Sequence, residues 1–162
     1  MAKQYNRASQ NNSEAYRQLA EIEGTVPPQA IELEQAVLGA LMLEKDAIID
    51  VQEYIKPETF YTEEHRIIFQ AIQELSFEMK AIDLYTVTEC LKSHRQLTKV
   101  GGAAYLAQLT QRVASAAHIE FHAKIIAQKY VQRELIRSAT EIQRRSYDEE
   151  IDVTELIGFA EQ

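Results

Sequence analysis

The sequence predicts an all-α protein: a compact multi-helix globular subdomain, then a long antiparallel helical hairpin, then the start of a linker helix at the C-terminus. Three observations carry that reading. Apolar residues recur at helical spacing along most of the chain, no segment sustains period-two alternation, and the hairpin-turn dipeptides Asn-Gly and Asp-Gly are absent.

Residues 1–26 are rich in Asn, Gln, Ser and Glu, with little apolar periodicity beyond a short helical pattern at Glu14 to Ile22, and they read as a disordered polar arm. Pro27-Pro28 sets an extended lead-in, and from Gln29 the pattern turns helical, with Ile31, Val37, Leu38, Leu41 and Met42 on one face. Glu32 and Glu34 fall in the first turn, where the helix dipole favours negative charge. Gly39-Ala40 inside this helix implies close packing by another backbone. A second helix is predicted from Asp46 to just before Pro57. Thr62 caps a third, with Glu63 and Glu64 in its first turn and Ile68, Ala71, Ile72 and Leu75 as its stripe. Asp83 caps a fourth carrying Leu84, Val87 and Leu91, which closes a globular subdomain spanning 27–100.

The hairpin is assigned to 101–147. Its first helix follows Gly101-Gly102 and carries Leu106, Leu109 and Val113. After a break or cap at Ser115, a long helix runs from about Ala117 to Tyr147 without Gly or Pro, its apolar positions passing from Ile119, Ala123 and Ile126 to Val131, Leu135, Ala139 and Ile142. About thirty residues span about 45 Å, more than the short partner can cover, so the surplus must meet the rest of the domain or a second molecule. The acidic Asp148-Glu149-Glu150 leads to a last amphipathic segment with Val153, Leu156, Ile157 and Ala160, so 148–162 reads as a linker broken off in mid-pattern.

The bulk numbers narrow the function. A chain of 162 residues suits one domain that buries about 70% of its unfolded surface. No apolar run approaches the ~18 residues of a membrane span, and the N-terminus lacks the apolar centre of a signal peptide. The single cysteine, Cys90, lies in an apolar pattern and reads as a buried structural thiol. These features lead us to expect a cytoplasmic protein. A net charge of −8 disfavours broad binding to phosphate backbones. The balance reverses between His118 and Tyr147, where Lys124, Lys129, Arg133, Arg137, Arg144 and Arg145 face only Glu120, Glu134 and Glu141.

Enzymatic motifs are hard to find. Gly101-Gly102 is followed by Ala-Ala-Tyr-Leu, with no lysine or magnesium-holding hydroxyl, which favours a helix start over a phosphate loop. His118 and His122 stand one turn apart, but Glu120 projects away and no Cys or Asp cluster completes a metal site. His65, beside Arg66, has no evident catalytic partner. No catalytic, cofactor-binding or metal-ligating residue is therefore assigned. Lys129, Arg133 and Arg137 form a stripe that reads as a solvated face or as a surface for an acidic protein or DNA, which leaves an independent helical DNA-binding regulator as the alternative function.

Five blocks, PPQAIELEQAVLGALML, FYTEEHRIIFQAI, AIDLYTVTECL, GGAAYLAQL and AKIIAQKYVQRELI, occur in an order and spacing that resemble the N-terminal domain of the bacterial replicative DNA helicase, the DnaB family, over residues 27 to about 162. The resemblance implies a collar domain that pairs subunits through the hairpin, assembles a hexamer as a trimer of dimers, and docks the primase C-terminal domain, with a helicase loader as a further partner. In such proteins ATP, magnesium and most DNA contacts belong to a separate motor domain, and the setting is the replication fork at the nucleoid. Carried over through the matching blocks, Tyr105, Ile136 and Ile142 are expected at the primase contact. Ile119, Ile126 and Leu135 are expected at the dimer interface, and each of these residues equally suits a core.

Overall fold

The computed structural model describes residues 24–44, 46–112 and 118–161. The expected helix at Glu14 to Ile22, most of the polar arm and the break at Ser115 lie outside them. The described residues form seven α-helices and no strand: α1 (Ile31–Leu43), α2 (Ala47–Val51), α3 (Glu63–Phe77), α4 (Leu84–Ser93), α5 (Gly102–Gln111), α6 (Ile119–Ser146) and α7 (Val153–Ala160), with a 3-10 turn at Pro57–Thr59.

The helix starts follow local chemistry. The Thr62 hydroxyl accepts the His65 N–H at 3.2 Å and opens α3. At α4, the Thr86 N–H donates to the Asp83 carboxylate at 2.8 Å while the Asp83 N–H donates to the Thr86 hydroxyl at 3.0 Å, a reciprocal cap. Each such cap is worth about 1 kcal/mol. The second predicted helix is shorter than expected. The Tyr54 and Ile55 N–H groups both turn back to the Val51 carbonyl, and Lys56 is extended (φ −130°, ψ 169°), as the residue before a proline prefers.

Packing centres on α1, whose residues 37–42 are all buried, because α2, α3, α4, α5 and α6 all touch it. A helix apolar on every side is stable only when covered on every side. Helix α5 has ten residues, too few to persist alone. Leu106 and Leu109, both fully buried, anchor it with about 1.5–3 kcal/mol each. The first turns of α6 join the same core through Ile119, Ala123 and Ile126. The first hairpin helix and the base of the second are therefore walls of the globular part. Beyond Ile126, α6 has no buried residue, although at 28 residues it is about 42 Å long. Near its end α7 folds back on it, with the Arg145 guanidinium 3.9 Å from the centre of the Phe159 ring.

Gly101 and Gly102 start α5 from left-handed backbone (φ 98° and 76°), their N–H groups bonded to the Thr98 and Leu97 carbonyls. A β-carbon at Gly101 would also lie 3.0 Å from the Tyr105 β-carbon. Gly101→Ala should therefore destabilise the chain by about 1–2 kcal/mol in urea unfolding. Gly158→Ala, in open space within α7, should instead raise helicity at no cost in stability; equal effects from the two would contradict the assignment.

Candidate protein-interaction surface

The side chains of the head converge on a buried polar chain. Glu34 of α1 and His65 of α3 are each 1% exposed, and Glu34 Oε2 lies 2.6 Å from His65 Nδ1. His65 Nε2 lies 2.8 Å from the Tyr105 hydroxyl of α5. The Tyr61 N–H donates to Glu34 Oε1 at 2.7 Å. Gln35 Nε2 donates to the Tyr105 hydroxyl at 3.3 Å, and Arg112 Nη1 donates to Gln35 Oε1 at 2.8 Å. Arg112 donates to Gln35 and Gln35 to the Tyr105 hydroxyl, while His65 bridges Tyr105 and Glu34 through its two ring nitrogens. The relay runs from the surface into the core and ties α1, α3 and α5 together.

Two arginines clasp the loop between the 3-10 turn and α3. Arg133 of α6 donates to the Pro28 and Thr59 carbonyls at 2.8 Å each, and Arg66 donates to the Phe60 carbonyl at 2.7 Å. Arg133 also lies 5.4 Å from the Tyr61 ring centre and 5.8 Å from that of Tyr130. The clasp fixes α6 against the start of α1.

Helix α6 has two faces. Ile119, Ala123 and Ile126 point into the core, whereas Phe121, Val131 and Leu135 fall on the opposite side of the 3.6-residue period and are exposed. Leu135 is 65% and Val131 53% exposed. Ile136 flanks this strip at 46% exposed, and Ile142 extends it, half-buried. Of the residues expected at a dimer interface, only Leu135 offers apolar surface. Ile119 (5% exposed) and Ile126 (1%) pack instead against the core of their own chain. The two sets of apolar positions lie on opposite faces of one helix, so the core that takes up the first leaves the second open. Of the three residues expected to meet a partner protein, Tyr105 is half-buried with its hydroxyl engaged by His65, whereas Ile136 is open.

The basic excess of α6 is largely paired within the chain. Lys124 meets Glu120 at 2.7 Å, Arg137 meets Glu134, and Arg144 and Arg145 share Glu141, whose carboxyl they hold down to about 2. With Arg133 committed to backbone carbonyls, the Lys129–Arg133–Arg137 series is not a continuous free cationic stripe. The His118 and His122 ring centres are 6.5 Å apart, and among the described residues no third donor joins them. Cys90 packs on the core but is only half-buried, against the fully buried thiol expected.

Sequence reasoning missed the Glu34–His65–Tyr105 relay. Its trace was Glu34 standing three residues after Ile31 and four before Leu38, a charge inside an apolar stripe, with His65 placed the same way before Ile68 and Phe69.

Fold and site together define an all-helical scaffold domain, its polar groups bound into its own architecture and its outward feature an apolar strip on a projecting helix. Residues 26–128 match the DnaB-like helicase N terminal domain family, and the chain belongs to it. It is 47% identical over 138 residues to the replicative DNA helicase DnaB of Rhodothermus marinus, covering 85% of this chain and 15% of that protein. It is 40% identical over 137 residues to the DnaB of Geobacillus stearothermophilus, covering 85% and 30%. The chain thus spans less than a third of these relatives. The crystal structure of the N-terminal domain of DnaB helicase from Mycobacterium tuberculosis superposes with a TM-score of 0.81 at 36% identity, over 84% of this chain and 96% of that one. A structure described as a DnaB-like replicative helicase and its interactions with primase matches with a TM-score of 0.64 at 26% identity, over 72% and 27%.

If the buried relay holds the head together, Glu34→Ala, which leaves the buried His65 and the half-buried Tyr61 N–H without their acceptor, should cost about 3–5 kcal/mol in urea unfolding. Tyr105→Phe, which removes one hydroxyl, should cost about 1–2 kcal/mol. A loss below about 1 kcal/mol for Glu34→Ala would show the relay to be incidental.

Proposed function

We propose that this chain is the collar domain of a replicative DNA helicase, pairing with a second copy through the outer face of α6 and offering a docking surface to primase. The carrying observation is the adjacent exposed pair Val131 and Leu135, one helical turn apart on the side of α6 that faces away from its own core, with Phe121 exposed on the same side nearer its base. Apolar surface on a rigid, extended helix is the usual form of a helix-pairing interface. Membership of the DnaB N-terminal family supports the reading, as does the likeness to a helicase studied with primase.

In this proposal Leu135, with Val131, forms the centre of the pairing surface. Ile136 and Ile142, at its border, and Tyr105, at the rim of the head, contribute to the primase surface. Paired domains assemble further into a hexameric collar, a trimer of dimers, at the replication fork in the cytoplasm. ATP, magnesium, unwinding and most DNA contact would then belong to the motor domain of the full-length helicase, and a loader would engage the assembled ring. The alternative of an independent DNA-binding regulator is disfavoured by the internal pairing of the α6 arginines and lysines.

Sedimentation of the chain should give a dimer or larger species, and Val131→Glu with Leu135→Glu should shift it to monomer at unchanged helicity. Calorimetry with the cognate primase C-terminal domain should show binding that Ile136→Glu weakens at least about tenfold, the loss of one central apolar contact. A monomeric wild-type chain with no primase affinity would overturn the proposal.

A further inference from the structure

On the side of the head formed by α3 and α4, three potential metal ligands lie together. Glu74 stands in the last turns of α3, Cys90 in α4 and His94 at the C-terminal cap of α4. Their ligand atoms all fall within 4.8 Å of one another. His94 Nε2 already sits 3.0 and 2.9 Å from the two Glu74 carboxylate oxygens. The relay, the clasp and the α6 strip do not use this trio.

We infer that Glu74, Cys90 and His94 form a binding site for a borderline-soft divalent transition-metal ion of the zinc type, clipping the end of α3 to the end of α4. Cys90 and His94 are four residues apart, so one helical turn aligns sulfur and imidazole on the same side, and Glu74 supplies the third donor from the neighbouring helix. Donors around tetrahedral zinc stand about 3.4–3.6 Å apart, given metal–ligand lengths of about 2.0–2.3 Å. The histidine–carboxylate pair must therefore open by about half an ångström and the thiol close in by up to about 1.3 Å, both within reach of side-chain torsions. Glu74 and His94 have side chains 42% and 48% exposed, which leaves a route for the ion and a fourth position for water.

The mixed sulfur, nitrogen and oxygen donor set selects against calcium and magnesium, which take oxygen ligands. The Glu74 carboxylate beside the thiol supplies the negative charge that draws a cation to it. Binding forms a metal–sulfur bond and releases the thiol proton to solvent.

Cobalt(II) chloride titrated into the reduced 162-residue chain tests the site. One equivalent should produce a thiolate-to-cobalt charge-transfer band with the ligand-field bands of a four-coordinate ion, and excess zinc should bleach both. Cys90→Ser should abolish the charge-transfer band. Glu74→Gln and His94→Gln, both at exposed positions, should each weaken binding at least about tenfold, since even an outer-sphere partner is worth that much. A double His118→Gln/His122→Gln variant should bind as the wild type does. The absence of a thiolate band at saturating cobalt, full affinity in either Gln variant, or loss of binding in the His118/His122 variant would each overturn the proposal.

Discussion

A carboxylate inside an apolar core must be met by donors, and the placement of Glu34 organises the head around that requirement. The Tyr61 N–H reaches it from the loop before α3, and His65 reaches it from within α3. His65 is itself held by Tyr105 of α5, which fixes the angle at which that helix crosses α1. Apolar burial alone would tolerate several rotations of α3 and α5 about α1. The directional relay from Arg112 through Gln35, Tyr105 and His65 to Glu34 selects one, because breaking its inner end leaves the buried Glu34 or His65 bare.

From that fixed head, α6 projects as a rigid arm. Its base is cemented by Ile119, Ala123 and Ile126, and Arg133 pins it to the Pro28 and Thr59 carbonyls. Past that point the helix is held by its own i,i+3 and i,i+4 ion pairs, which on exposed surface contribute little each. Folding back of α7 covers part of the distal end, while the outward apolar strip is left bare. A head whose buried carboxylate is met by donors and an arm whose outer face is bare is the division of labour expected of an assembly module, and it agrees with membership of the DnaB N-terminal family.

Much of this architecture was legible in the sequence because it is written in local chemistry. Thr62 and Asp83 announced the starts of α3 and α4 because short side-chain acceptors cap helices, and the glycine pair announced that of α5 because its backbone is left-handed. The absence of Gly and Pro between Ala117 and Tyr147 gave the long helix to within about two residues, the usual ambiguity of helix ends. What was not legible depends on long-range placement. Periodicity reports that α6 carries apolar residues on several sides but not that the head covers Ile119 and Ile126 and leaves Leu135 open. Likewise Glu34, His65 and Tyr105 are 31 and 40 residues apart along the chain, and only folding makes them neighbours. The trio of Glu74, Cys90 and His94 was half visible as a Cys and a His four residues apart, while its third member needed the packing of α3 on α4.

In the proposed pairing, the outer face of α6 meets its counterpart in a second molecule. A spin label at Ser138→Cys, beside the Leu135 strip, in a Cys90→Ser background, reads this directly by dipolar coupling between labels. The account predicts a narrow inter-label distance distribution that vanishes on dilution with unlabelled chain. No coupling at concentrations where the chain is associated would place the pairing surface elsewhere and contradict it.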